Sequence, residues 1–598
     1  MLNSRKWVVV VFWGLGLLFF SQCEKFKTPL ELRWKTYCEK VDFKRTPRYA
    51  ETIKFCKRLA RVSRYVSFKS FGISPQGRKL PLLIVDFDRC FSPLRQRRTG
   101  KAVLLVQACI HPGECDGKDA GLMFIRDVVI FRKYRNLFEN VTLLFIPIFN
   151  VDGHERFGPY NRINQNGPEE MGWRTTAQNL NLNRDFLKAD APEMQAWLKL
   201  FSSWLPDFIV DIHVTDGADY QYVVTYGMET REVLEEPLSK WSKDVFLPVF
   251  KSLMKQRGYP TITYVMPRKW GDITSGIVCG VMPPRLSNGY GIVQNRPVLL
   301  IENHMLKSYK ERVLATYEML KCVLEIVNKE YKSLKEAVQL SDKRSSTIKP
   351  KETYYLRYQV DFSDSTMIEF LGKKFHYEQS EISGSKYIVW EDDPCVYHIP
   401  LFDKIKPVDS IKVPYAYLIP PEWSNVTKKL TLHGVNVKFL EKEITIPVHV
   451  YKFSNVKWRE KPYEGRHRVS FSAVDTVVTR TFPARTAVIF LNQRTSKLII
   501  HALEPSGPDS FLRWGFFDVI FEQKEYAERY VLEKLAAEMA KKNPDVYKEF
   551  TRKLRKGPSF AADPWKRLQF FYERSPYWDE NLNIYPIGRI FDPIPLPL

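Results

Sequence analysis

Between about residue 40 and residue 330 the chain repeats one pattern: a short run rich in Val, Ile and Leu, then a stretch with apolar residues at helical spacing. The runs 82–85, 103–109, 141–148, 208–212 and 298–301 carry few polar side chains. A strand without in–out alternation is buried on both faces, as happens when helices cover both sides of a sheet. The pattern therefore predicts an α/β domain, a mixed, mostly parallel sheet flanked by helices. Residues 118–131 should form one such helix, and Asp190 should cap another that carries Pro192 in its first turn and runs to about residue 204. The segment 306–337 should close this domain, assigned to residues 24–340.

Composition shifts after Ser341. Residues 341–352 are polar and charged, as in a linker, and 353–505 contain short β-branched and aromatic runs (354–360, 444–451, 477–481 and 497–503) that predict a β-rich domain. From 506 to 598 the pattern turns helical, over 525–540, 544–554 and 564–571. A chain of 598 residues can bury large cores, so nothing forces it to depend on disulfides. Its nine cysteines form no CxxC pair. Cys109, inside an apolar run, is expected to be a small buried hydrophobe.

The first residues have the build of an export signal, assigned to 1–23. Arg5 and Lys6 precede the apolar stretch 7–20, which is shorter than the roughly 20 residues a membrane span needs. Ser21-Gln22-Cys23 resembles, loosely, the cleavage box of bacterial lipoproteins. A lipid on Cys23 would tether an exported, periplasmic or cell-surface protein to a membrane. With 91 Lys and Arg against 68 Asp and Glu, the net charge of +23 favours acidic partners. The basic residues are spread along the chain without helix-turn-helix or zinc-finger spacing, so no nucleic-acid partner is expected.

Chemistry gathers where the apolar runs end. His111-Pro112-Gly113-Glu114 follows the run 103–109, and the spacing of His111 and Glu114 across a Pro-Gly turn lets both side chains address one ion. His213 follows the run 208–212, on the same face as Asp211 by the period of two. Glu302 ends the run 298–301, where a carboxylate is costly unless it meets a cation, a metal-bound water or donors. No HExxH, GxSxG or GxxxxGK[ST] motif offers a competing mechanism.

From about residue 74 to 312 these pieces, in their order, resemble the zinc carboxypeptidase family. Gly77-Arg78-Lys79-Leu80 precedes a strand; the His-x-x-Glu, Asn150-Val151-Asp152-Gly153, Trp173-Arg174-Thr175, Leu182-Asn183-Arg184, the single His213 and the strand-end Glu302 follow. The resemblance implies an exported bacterial member with a C-terminal extension, acting on peptide substrates with one Zn²⁺ per chain. His111, Glu114 and His213 would hold the ion, Glu302 would be the base, and Arg174 would stabilise the oxyanion. Asn183 and Arg184 would grip the substrate's terminal carboxylate, and Tyr290 is the nearest candidate for the family's substrate-capping tyrosine. Two departures stand out. Gly113 occupies the place where some members carry a substrate-contacting Arg, and Asn181 that of an Asp supporting a zinc ligand. An amidase or deacylase using the same chemistry, or a binding protein on a retired peptidase scaffold, are the alternatives.

Overall fold

The computed structural model describes residues 29–215 and 217–598; the export segment and Cys23 lie outside the described residues. The chain divides into two compact units, one running to Ser341 and taking in Gln359–Lys406, the other made of Asp342–Tyr358 and Pro407–Leu598.

The first unit is built on an eight-stranded sheet. Its strands are β1 (Val66–Ile73), β2 (Lys79–Val85), β3 (Ala102–Ala108), β4 (Val141–Ile146), β5 (Phe208–Val214), β6 (Val224–Gly227), β7 (Thr261–Thr263) and, after β8 (Pro267–Lys269) and β9 (Asp272–Val278) of a smaller sheet, β10 (Val298–Asn303). Spatial order is β1-β2-β4-β3-β5-β10-β6-β7. The central strands β4, β3, β5 and β10 run parallel, and β2 and β6 flank them antiparallel. All residues of β3, β4 and β5 are buried, as the unbroken apolar runs require. Helices α1 (Asp116–Val129), α2 (Pro192–Trp204), α3 (Ser287–Val293) and α4 (Tyr309–Lys329) belong to this unit. Gly121 lets α1 lie close on the sheet, since a Cβ there would fall 2.2 Å from the Phe145 ring.

Several local expectations are corrected. The cap of α2 is Ala191, not Asp190; Asp190 pairs instead with Lys188 at 3.2 Å, and Asp185 accepts from the backbone N–H of both Asp190 and Ala191. The segment 306–337 forms two helices, α4 and Tyr331–Ser346, so the expected linker begins inside a helix. The hairpin β11 (Thr366–Gln379) and β12 (Lys386–Phe402), expected in the β-rich domain, belongs to the first unit. β12 pairs in parallel with β9, Leu401 against Ile277, giving the sheet order β11-β12-β9-β8. Parallel pairing links strands distant in sequence, which a reading of local pattern cannot foresee.

The second unit carries a six-stranded antiparallel sheet of β13 (Ala416–Ile419), β14 (Lys438–Phe439), β15 (Ile444–Trp458), β16 (Val469–Phe482), β17 (Ala487–Phe490) and β18 (Gly588–Ile590), in the order β14-β17-β13-β18-β15-β16. The tail thus returns as a strand between β13 and β15. Residues 497–503, expected as a strand, lie in the helix Ser496–Leu503; every residue of it is buried, and a fully buried apolar run has no periodicity to separate helix from strand. Helices Arg529–Lys542, Pro544–Lys556 and Pro564–Tyr572 contribute to a small core around Leu532, Phe550 and Phe571. The described cysteines are all unpaired thiols, with Cys109 fully buried. Among the described residues no helix is long and apolar enough to cross a membrane.

Candidate metal centre

The C-terminal ends of β3, β5 and β10 lie side by side, and each delivers one part of the site. After β3 the backbone turns through Cys109 at a positive φ of 54°, a left-handed conformation costly for a residue with a Cβ. A tight turn follows in which the N–H of Glu114 donates to the carbonyl of His111 at 2.9 Å, and α1 starts at Asp116. His111 and Glu114 thereby emerge together over the sheet edge. His213 lies near the end of β5, and Glu302 stands level with it on adjacent parallel β10.

The two rings and the carboxylate converge. His111 Nδ1 lies 3.0 Å from Glu114 Oε1, His213 Nδ1 is 2.9 Å from Glu114 Oε2, and the two Nδ1 atoms are 3.2 Å apart. All three residues are buried, and one ligand atom from each falls within 4.8 Å of the others. Donors bound to one tetrahedral zinc at about 2.0–2.1 Å would stand about 3.3 Å from one another, so the trio already has the spacing of a ligand set.

The outer ring nitrogens explain why the inner ones face inward. His213 Nε2 donates to Asp211 Oδ2 at 3.0 Å. His111 Nε2 donates to Asn181 Oδ1, also at 3.0 Å, and that oxygen further accepts the N–H of Asn183, which identifies it as the amide oxygen. With protons held at Nε2, each imidazole turns the Nδ1 lone pair to the centre. Asn181 therefore supports His111 where an Asp was the expected residue type, and Asp211 supports the other ligand.

Electrostatics favour a cation there. Burial works against the charge on Glu114, but His111 and Arg162 beside it prevail and hold its carboxyl well below the usual range. Burial lowers His111 to about 4. For His213 burial is outweighed by Asp211 and Glu114, which raise it well above the ordinary imidazole value.

The remaining candidates divide. Arg174 is 41 % exposed and brings Nη1 to 3.6 Å from Glu114 Oε1. Asn183 Nδ2 lies 3.5 Å from His213 Nε2, with Arg184 next to it bonded to the Asn183 carbonyl at 2.6 Å. Tyr290 is a correction: it is buried in α3 among Phe186, Trp197 and Phe201, where its hydroxyl accepts from Gln294 Nε2 at 2.7 Å. Such a side chain cannot swing over a substrate. His304 turns to Asp219 at 3.0 Å and lies tilted against the Tyr220 ring, centroids 4.2 Å apart. Arg162 escaped the sequence reading altogether; its Nη2 lies 3.1 Å from Glu114 Oε1.

Several ordered motifs prove to brace one another. Asp152 accepts from Ser74 Oγ (2.8 Å), Arg78 Nη1 (2.7 Å) and the Gln76 N–H (3.0 Å), while the Trp173 N–H donates to the Gly153 carbonyl at 2.8 Å.

The family model described as zinc carboxypeptidase matches residues 52–232, which contain the two histidines and Glu114. Over that segment the chain is similar to the zinc carboxypeptidase family. Relatives run well beyond that segment. Carboxypeptidase 2 of Trichophyton rubrum is 23 % identical over 503 residues, covering 79 % of this chain and 85 % of the relative. Probable carboxypeptidase 2 of Arthroderma benhamiae (strain ATCC MYA-4681 / CBS 112371) is 22 % identical over 488 residues, with 77 % and 84 % covered. Among solved structures, a metallo-carboxypeptidase from Pseudomonas aeruginosa aligns with a TM-score of 0.36 at 20 % identity, covering 48 % of this chain and 69 % of that one, a superposition too loose to bear on the site.

Proposed function

We propose that this chain is a zinc-dependent metallocarboxypeptidase that hydrolyses the C-terminal bond of peptides, with one Zn²⁺ held by His111, Glu114 and His213. The observation that carries this reading is the inward-facing trio: two Nδ1 atoms and a carboxylate converge on one point while Asn181 and Asp211 hold the outer ring nitrogens. When bound, zinc supplies a Lewis acid that polarises the scissile carbonyl and makes an attached water acidic near neutral pH.

The chain's own residues do the rest. Glu302, level with His213 on the neighbouring strand, takes the proton from the attacking water and passes it to the leaving amine nitrogen. Arg174, beside Glu114 and open to solvent, donates to the oxygen on which negative charge develops. Asn183 and Arg184 hold the terminal carboxylate, a task suited to the planar guanidinium fork. Export through residues 1–23, with lipid on Cys23, fits the apolar stretch 7–20 and the Ser-Gln-Cys box.

Two measurements test this. Purified protein should retain about one equivalent of zinc, and a terminally diverse peptide library should lose C-terminal residues with the wild type but not with Glu302→Gln. A protein that holds no zinc after loading, or that cleaves only non-peptidic amides, overturns the assignment.

A further inference from the structure

Gly113, in the turn between the two ligands, carries no side chain toward a substrate, but the space above it is filled from elsewhere. An ideal Cβ at Gly113 would lie 2.6 Å from Arg162 Cγ and 2.9 Å from its Cδ, so the aliphatic stem of Arg162 rests on the bare backbone of the turn. The guanidinium then reaches Glu114 Oε1 at 3.1 Å and the Val214 carbonyl at 3.4 Å, and the side chain is 13 % exposed.

The loop that delivers it is held firmly. Gly158 and Met171 close its base as a β-bridge, Gln165 Nε2 donates to the carbonyls of Gly113 (2.9 Å) and Gly167 (2.8 Å), and the buried guanidinium of Arg312 donates to the carbonyls of Asn166 and Gly167, each at 2.8 Å. Within this fixed loop Tyr160 and Ile163, flanking Arg162, are 92 % and 99 % exposed.

We propose that Arg162 binds the peptide upstream of the scissile bond, donating to a backbone carbonyl on the N-terminal side of the residue whose carbonyl reacts. The inference rests on the carboxypeptidase reading above. Asn183 and Arg184 lie at the outer, Nε2 side of His213, whereas Arg162 reaches the trio at Glu114 Oε1 and at the backbone just past His213. A peptide whose carboxylate sits at Asn183 and Arg184 and whose reacting carbonyl lies over the trio must extend its remaining length toward Arg162. Both contacts use one terminal nitrogen of a five-donor fork, so donors remain for a peptide carbonyl.

The test compares dipeptides with a free N-terminus, which have no carbonyl upstream of the reacting residue, with N-blocked tetrapeptides of the same C-terminal residue, using zinc-loaded wild type and Arg162→Ala and Arg162→Lys variants. In Arg162→Ala the KM for the tetrapeptide should rise about tenfold, the worth of one charge-assisted hydrogen bond. Measured on zinc-loaded protein, the ratio of tetrapeptide to dipeptide kcat/KM should therefore fall about tenfold, and Arg162→Lys should recover part of that ratio. Calorimetry of the tetrapeptide on Glu302→Gln, with and without Arg162→Ala, should show the same tenfold difference without turnover. Loss of zinc in Arg162→Ala would mean that Arg162 only holds Glu114, and an equal kcat loss on both lengths would place it at the reacting oxygen; either overturns the proposal, as does an unchanged length dependence. If wild type cleaves neither peptide, the carboxypeptidase reading itself has failed and takes this proposal with it.

Discussion

Two buried carboxylates, one in each unit, meet opposite surroundings. Glu114 in the first unit converges with the ring nitrogens of His111 and His213, one ligand atom of each within 4.8 Å of the others, while Arg162, Arg174 and the Val214 N–H approach it from outside the trio. Glu504 in the second unit faces donors. Tyr417 and Tyr451 each give it a hydroxyl hydrogen bond at 2.7 Å, and Arg589 approaches to 4.0 Å while bonding Tyr451 Oη at 2.8 Å and Asp475 at 2.8 Å. The first cluster has the donor atoms of a metal site, and the second is closed upon itself. Burial of charge alone therefore says little about function; the set of groups gathered around the charge decides it.

The comparison breaks most sharply at Glu302. Glu302→Gln should lower kcat by about 10²–10⁴-fold, the usual worth of a general base, while zinc content by atomic absorption stays at wild type; turnover at the wild-type rate would remove Glu302 from the chemistry. His213→Ala should act a step earlier and lose the zinc itself, so metal content, rather than activity, is the deciding measurement. In the closed cluster the cost appears as stability. Arg589→Met strands Glu504 and Asp475 without their cation and should destabilise the protein by about 3–5 kcal/mol in denaturant titrations, and a change below ~1 kcal/mol would show the network to be dispensable.

A third carboxylate sharpens the contrast because it has neither solution. Glu193 in α2 is fully buried, and neither of its oxygens has a hydrogen-bond partner. Burial, aided by Asp152 and Asp185, raises it to about 7. The folded state thus holds a proton that the unfolded chain releases near pH 4.3, so stability should fall as pH rises from there through 7, by on the order of 2–3 kcal/mol. Glu193→Gln should flatten that slope and gain stability at pH 8 but not at pH 4; identical melting profiles for the two proteins would sink the assignment. The smallest effect belongs to Tyr290→Phe, which removes one buried hydrogen bond from Gln294 and should cost about 1 kcal/mol of stability. Its kcat/KM should not change, whereas a capping tyrosine would lose activity.

What was legible in the sequence follows from the range of each signal. The central strands announce themselves because burial on both faces leaves no polar residue to interrupt the run, and His111, Glu114 and His213 stand out as polar groups where those runs stop. Arg162 carried no such mark. Its importance depends on an absent side chain at Gly113, and only the fold brings the two together. Tyr290 was only the nearest candidate for a residue of the resembled family, and its place in the sequence said nothing of the aromatic cluster of Phe186 and Trp197 that encloses it. The helix at 496–503 and the returning strand at 588–590 were missed because a wholly buried run has no period, and a tail strand finds its partners only through the rest of the sheet.

The parallel pairing of Leu401 with Ile277 has a consequence for synthesis. The peptidase unit is discontinuous along the chain, so a growing polypeptide released as far as α4 still lacks two strands of its smaller sheet. Those strands leave the ribosome only when residue 402 has emerged, and the final closure of the unit must wait for them. Cutting the gene at the apparent boundary near residue 341 would therefore yield a fragment with an open β-edge at β9, ready to pair with another copy of itself.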